Sequence, residues 1–300
     1  MPIFDSIDPG LDQFFALVEQ CDVAKLNTFC DKHYKTYCDV YREQEYLSNV
    51  EWIVRHFLAS KKLALSALFF SQAEYMMSQN MKNLTFYACY YAYFNGLSSN
   101  LILSPHLDLR SVRSISHADL ESKIENFFVR KGVYSEEALT LLGDLRFARE
   151  LYSYRLPLRG EKTGGGSGAL DAKKLFDRLS DSLPCALQCT NMLSYLSYAA
   201  YEKKGRGTPD EYGKFQLEVD AMFHSMVEYW NRQRDRLHYD EGDYNQLGMY
   251  FVKLGSPKPI QWTMNDWIQD ELECGWEDSE DVEGYSIESA SEYLSKVLQK

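Results

Sequence analysis

The sequence predicts an all-α protein, and three observations predict it. Apolar residues recur at three- and four-residue spacings through most of the 300 positions, the period of a helix with one face against a core. Strict alternation of apolar and polar residues between turn signals, the mark of strands, is scarce. Capping and breaking residues cut the periodic stretches into helix-sized pieces. With 45% apolar and 25% charged residues, the chain falls among globular proteins.

Residues 1–59 read as an N-terminal helical extension. From Leu11 to about Leu58, Phe14, Leu17, Leu26, Phe29, Tyr37, Tyr41, Ile53 and Phe57 mark two or three amphipathic helices. Residues 60–159 are the most regular stretch and read as one helical bundle. A helix from Leu63 to Met81 carries Leu65, Leu68, Phe69 and Met76, and Asn83 and Thr85 offer a break and restart. A second helix, from about Leu84 to Leu103, ends at Ser104 and Pro105. Ser116 caps a third, His117 to Lys131, which Gly132 stops. Ser135, with Glu136 and Glu137 in the first turn, opens a fourth that reaches about Tyr154, before Pro157.

Residues 160–172, GEKTGGGSGALDA, read as a linker or loop, because four glycines in five positions cannot hold a helix. The segment lacks the Lys-Ser/Thr of a phosphate-binding P-loop. Residues 173–300 form a C-terminal helical region with an acidic tail. Helices are expected over 172–182, 184–203 and 210–238, a short strand at MYFVKL from Met249, and a last helix near 286–299.

The seven cysteines are scattered, without a CxxC pair or a zinc-finger spacing, so free thiols and no metal are expected. Cys185 and Cys189 share a helix face but lack two further ligands nearby. No cofactor is implied. The first residues lack a basic and then apolar leader, and no run of eighteen apolar residues occurs, so a cytoplasmic protein outside the membrane is expected. The net charge of −12 does not exclude an anionic ligand. Eleven carboxylates lie between Lys258 and Lys296 with no basic residue among them, so the rest of the chain is near neutral.

YACYYAYF at Tyr87 to Phe94, then Ser116-His117, Phe127-Phe128 and LLGDLRFARELYSYRLPL at 141–158, occur in the order and spacing of HEPN domains. Over about 100 residues the chain resembles that family. The resemblance implies a HEPN-like up-and-down bundle with additional N- and C-terminal helices, and a homodimer in which terminal helices share a cleft. It further implies RNA or a nucleotide as ligand, metal-independent ribonuclease activity, and a place as effector or partner in a defence or toxin-antitoxin-like system. The family's catalytic motif, an arginine followed after four to six residues by a histidine, is broken here. After Arg149 come Glu150, Leu151, Tyr152, Ser153, Tyr154 and Arg155.

Metal-free RNA cleavage needs a base, an acid and positive charge for the transition state. Arginine supplies only the last, which makes Arg149 and Tyr154 one catalytic candidate pair. Arg146, Arg149 and Arg155 either line one concave ligand surface or form a solvated helix end paired with Asp144 and Glu150. The spacing from Arg110 to His117 is also a motif match, with His117 read as a ligand-binding or locally bonded helix-start residue. Arg232 and His238, in WNRQRDRLHYD, form the second catalytic candidate, or a charged helix end. Among the aromatics, Tyr87, Tyr91 and Phe94 are expected in the core, which leaves Tyr90 and Tyr93 for a ligand or a second protomer. The tail tryptophans Trp262, Trp267 and Trp276 either dock with the tail on the arginines or pack on the C-terminal helices. The competing functional class is a helical interaction module without chemistry, engaging a protein partner.

Overall fold

The computed structural model describes residues 2–5, 10–43, 45–113, 115–155, 171–204, 256–264 and 288–299, and among these the fold is all-α. A short turn at Leu11–Gln13 leads into α1 (Phe15–Gln20), α2 (Val23–Glu43) and α3 (Glu45–Ser78). There follow α4 (Lys82–Leu103), α5 (Leu109–Arg113), α6 (His117–Ile124), α7 (Glu136–Glu150), α8 (Ala172–Lys204), α9 (Ile260–Thr263) and α10 (Glu288–Gln299). Widened helical turns extend α6 through Glu125–Val129 and α7 through Leu151–Arg155.

Helix α4 is the axis of the molecule. It packs along α3 as a hairpin and also meets α8 and α7, so it is buried on nearly every side. The hairpin turns at Asn80, whose φ of 57° lies in the left-handed region that asparagine tolerates. Gly96 sits where α4 crosses α3 and α8. A Cβ there would meet Leu183 Cδ1 at 3.1 Å and Ser66 Oγ at 3.2 Å, so the close approach needs glycine.

The boundary expected near residue 60 falls inside α3. Phe57 and Leu63, on either side of it, belong to one core that includes side chains of every helix from α1 to α10. The helices expected over 172–182 and 184–203 are likewise one helix, α8, with Pro184 inside it. Packing of Leu179, Leu183 and Leu187 in the core holds α8 continuous across a residue that ordinarily interrupts a helix.

Much of the α4–α8 seam is polar and saturated. Asn100 Nδ2 donates to Ala186 O (2.8 Å) and Gly96 O (3.0 Å), and its Oδ1 accepts from the Tyr134 hydroxyl. Ser99 and Thr190 hydroxyls meet at 2.6 Å. Gln188 takes the Ala16 amide at 2.8 Å and donates to Val297 O at 3.0 Å, tying α1 and α10 to α8.

Arg55 of α3, 2% exposed, closes the end of α4. It donates to Ile102 O (2.8 Å), Ser104 O (3.4 Å) and Leu107 O (2.7 Å), while Tyr37 OH donates to Leu103 O. Those of Ile102, Leu103 and Ser104 are carbonyls of the kind that a helix C-terminus leaves without partners, and Leu107 O belongs to the turn that follows. The expected caps stand as read: Ser116 Oγ accepts the Asp119 amide at 3.1 Å, and Gly132 has φ 77°. No helix among the described residues is long and apolar enough to cross a membrane. The expected helix 210–238 and the strand from Met249 lie outside the described residues.

Candidate functional site

The end of α7, where the resemblance places function, is built from three elements. Helix α4 supplies Tyr87, Tyr90 and Tyr91, the start of α6 supplies His117, and α7 with its widened turn supplies Arg146, Arg149, Glu150 and Tyr154. Arg149 is the hub and is only 7% exposed. Its guanidinium carbon stands 4.9 Å from the Tyr90 ring centre and 5.9 Å from those of Tyr91 and Tyr154. It also donates to the Tyr91 hydroxyl (3.4 Å) and to Glu150 Oε1 (3.3 Å).

Phe94 is in the core as expected from spacing, but the tyrosines are the reverse of that expectation. Tyr90 and Tyr93 are buried, at 1% and 2% exposure, whereas Tyr87 is exposed and Tyr91 half-buried. Tyr90 is therefore not a ligand-facing residue. Period alone could not separate these positions because α4 has partners on three sides and no single apolar stripe. Nor do the three arginines line one concave surface. Arg149 is enclosed by rings, and Arg155 is exposed. Arg146 is half-exposed and pairs with Glu150 at 3.0 Å and Glu121 at 3.8 Å. Glu150, not Asp144, is the shared anion, and the hydrogen bond from Arg146 holds its carboxyl below the usual range. Asp144 pairs instead with Arg178 at 2.7 Å.

His117 is where the structure adds something that sequence spacing missed. It is half-buried, 4.9 Å from the Phe94 ring and 5.3 Å from the Tyr90 ring, and its Nδ1 is bonded to the Tyr90 hydroxyl. Its cationic neighbours are Arg149 and Arg146, not Arg110, the residue at motif spacing. Burial raises the Tyr90 phenol, which therefore stays protonated and can either donate to Nδ1 or accept from it. Burial first, then Arg149 and Arg146, lower the His117 imidazole. Neutral, with Nδ1 accepting, His117 carries its proton on Nε2. In this tautomer it is a hydrogen-bond donor to an incoming group and not a base. Tyr154 stands 75% exposed above Arg149, and Tyr87 is 43% exposed. Arg232, His238, Trp267 and Trp276 lie outside the described residues.

A second concavity, which the sequence reading did not identify, opens along α2. It has a volume of about 760 Å³. Three turns of α2 supply Lys25, Lys32, Lys35, Phe29 and His33, and the α4–α5 turn supplies His106. Phe127 and Lys131 complete the wall from the far end of α6. The lysines of α2 were legible as a basic face in an acidic protein; the arrival of His106 and Lys131 was not, because it depends on Arg55 and Gly132. No known protein family, no curated protein and no solved structure matches the chain.

Proposed function

We propose that the chain is a HEPN-like helical protein that binds single-stranded RNA on the surface around His117, Arg146 and Tyr154, and that this surface binds without cleaving. The observation that carries the reading is His117 hydrogen-bonded to Tyr90 beside two guanidiniums, beneath an exposed tyrosine; with the phenol as donor, the imidazole proton is on Nε2. An imidazole N–H and the half-exposed Arg146 suit phosphate oxygens, and Tyr154 offers a face on which a base stacks. Cleavage would require a proton acceptor near the attacking 2′-hydroxyl. His117 in this tautomer offers none, and Arg149 is already engaged by three rings and Glu150.

The test is fluorescence anisotropy with a labelled single-stranded RNA in chelator, run beside an assay for cleaved total RNA. Tyr154→Ala is expected to weaken binding by roughly tenfold, the scale of one base–aromatic stack. Arg146→Ala lowers the salt slope by about one. Intact RNA is expected throughout. Wild-type protein that binds no RNA at low salt sinks the reading, and cleavage that His117→Ala abolishes sinks its non-catalytic part.

A second reading, a helical interaction module for a protein partner, is favoured by the exposed apolar residues Met81, Leu84 and Phe147, at the start of α4 and on α7. It predicts no RNA binding in the anisotropy assay, whatever the salt.

A further inference from the structure

We propose that the cleft along α2 is a second binding site, for a small phosphate ester that carries a flat ring. The phosphate sits on the lysine rim, and the ring lies against the aromatic wall.

The charge of the cleft comes first. Lys25, Lys32 and Lys35 of α2 and Lys131 beyond α6 are exposed at its edge, in a protein whose net charge is −12. None of the four is ion-paired among the described residues. The one carboxylate in the lining, Asp22, already accepts the Lys25 amide at 3.0 Å as the cap of α2. Four cations that converge with a single carboxylate among them repel one another, and a bound dianion relieves that.

The wall and floor of the cleft are aromatic. The Phe29 and His33 rings are 3.8 Å apart and tilted by 33°, His106 meets His33 edge-on at 4.8 Å, and the rings of His106 and Phe127 are within 16° of parallel at 6.5 Å. Inorganic phosphate would use little of this surface. A volume of about 760 Å³ lies within the range of about 300–1,000 Å³ that small organic ligands occupy.

The third observation is a polar atom without a partner. His33 is 4% exposed, and its Nδ1 donates to Phe29 O at 3.0 Å. Nε2 therefore holds the lone pair, and it has no hydrogen-bond partner. Burial, with His106 and Lys131 nearby, pushes this imidazole down to about 3, so it stays an acceptor at neutral pH. That atom is closed to solvent, so it is a buried acceptor behind the ring wall and not a contact offered to a ligand. Charge and ring wall thus ask for two different parts of one molecule.

The probe is AMP, titrated calorimetrically into the full chain, with adenosine and ribose 5-phosphate as the ring-only and phosphate-only arms. AMP is expected to bind about tenfold or more tightly than either, one good contact's worth in each direction. The double variant Lys32→Gln/Lys131→Gln is expected to weaken AMP by about tenfold or more while melting as the wild type does. Lys173→Gln, remote on α8 and paired with Asp177, leaves AMP binding unchanged. Tyr154→Ala, which tests the other surface, also leaves it unchanged. The proposal is overturned if the wild type binds no AMP, if adenosine or ribose 5-phosphate binds as tightly as AMP, or if the lysine variant retains full affinity.

Discussion

Acidification from pH 7 to pH 5 should destabilise this protein through two buried imidazoles, before its carboxylates titrate. His56 is wholly buried. Its Nδ1 donates to Lys258 O at 2.7 Å, and Ser197 Oγ lies 3.1 Å from Nε2. Burial pushes it down to about 4, and His33 to about 3. In the unfolded chain both titrate near the ordinary value of 6.5. Above pH 6.5 neither state holds these protons, and stability is whole. Below it the unfolded chain takes up two protons that the folded chain refuses, so stability falls with falling pH until the folded groups themselves titrate. At about 1.4 kcal/mol per pH unit, the interval from 6.5 to 5 removes about 2 kcal/mol for each histidine, or about 4 kcal/mol together. That is a large share of the 5–15 kcal/mol typical of a folded domain, roughly speaking. Urea denaturation at pH 7 and pH 5, followed by circular dichroism, measures it. His56→Gln keeps a neutral polar group but cannot titrate, so its stability should drop by only about 2 kcal/mol over the same interval. Other groups act equally in both proteins and cancel in the comparison. Equal losses in wild type and variant would refute the argument.

Arg55→Met should cost about 3 kcal/mol or more in thermal or chemical melting, because it leaves the Ile102 and Leu107 carbonyls buried without donors. Asn100→Ala should cost about 3 kcal/mol on the same assay by removing the acceptor of the buried Tyr134 hydroxyl and the side-chain bonds across the seam, while Ser111→Ala on the exposed face of α5 should stay within about 0.5 kcal/mol. Gly132→Ala should cost about 1–2 kcal/mol for its left-handed φ, since the crowding against Lys25 Cδ is relieved when that long side chain swings away. Tyr90→Phe should turn His117 from a single Nε2-protonated tautomer into a mixture, as read by nitrogen-15 NMR; an unchanged spectrum would mean that the phenol does not set the proton.

Helix content and most helix ends were legible because they depend on local chemistry. Ser116, Gly132, Ser135 and the Ser104-Pro105 stop act within a turn of their own position, and each stands where it was read. Pro184 misled for the converse reason: its local preference is overridden by core packing over the whole of α8. Facing directions were legible only for helices with one buried side. On α4, enclosed by α3, α7 and α8, tyrosines three and four apart are all plausible core residues, and only the tertiary arrangement sorted Tyr90 inward and Tyr87 outward. The candidate site divides the same way. Arg149 was found from its place on the last bundle helix, but its burial among rings and the approach of His117 across 32 positions have no sequence signature.

The polar seam between α4 and α8 constrains how the molecule can move. Polar side chains of α4 meet fixed partners on α8 along it, Asn100 to Ala186 O and Ser99 to Thr190 among them. Greasy helix surfaces can slide past one another by a fraction of a turn, exchanging one set of contacts for a similar one. Here any such slip would leave several amides and hydroxyls facing methyl groups in a dry interior. These two rods can come apart or stay in register, but they have no intermediate gear. Shear along this axis is barred, and any ligand-driven rearrangement has to hinge at the turns that flank it.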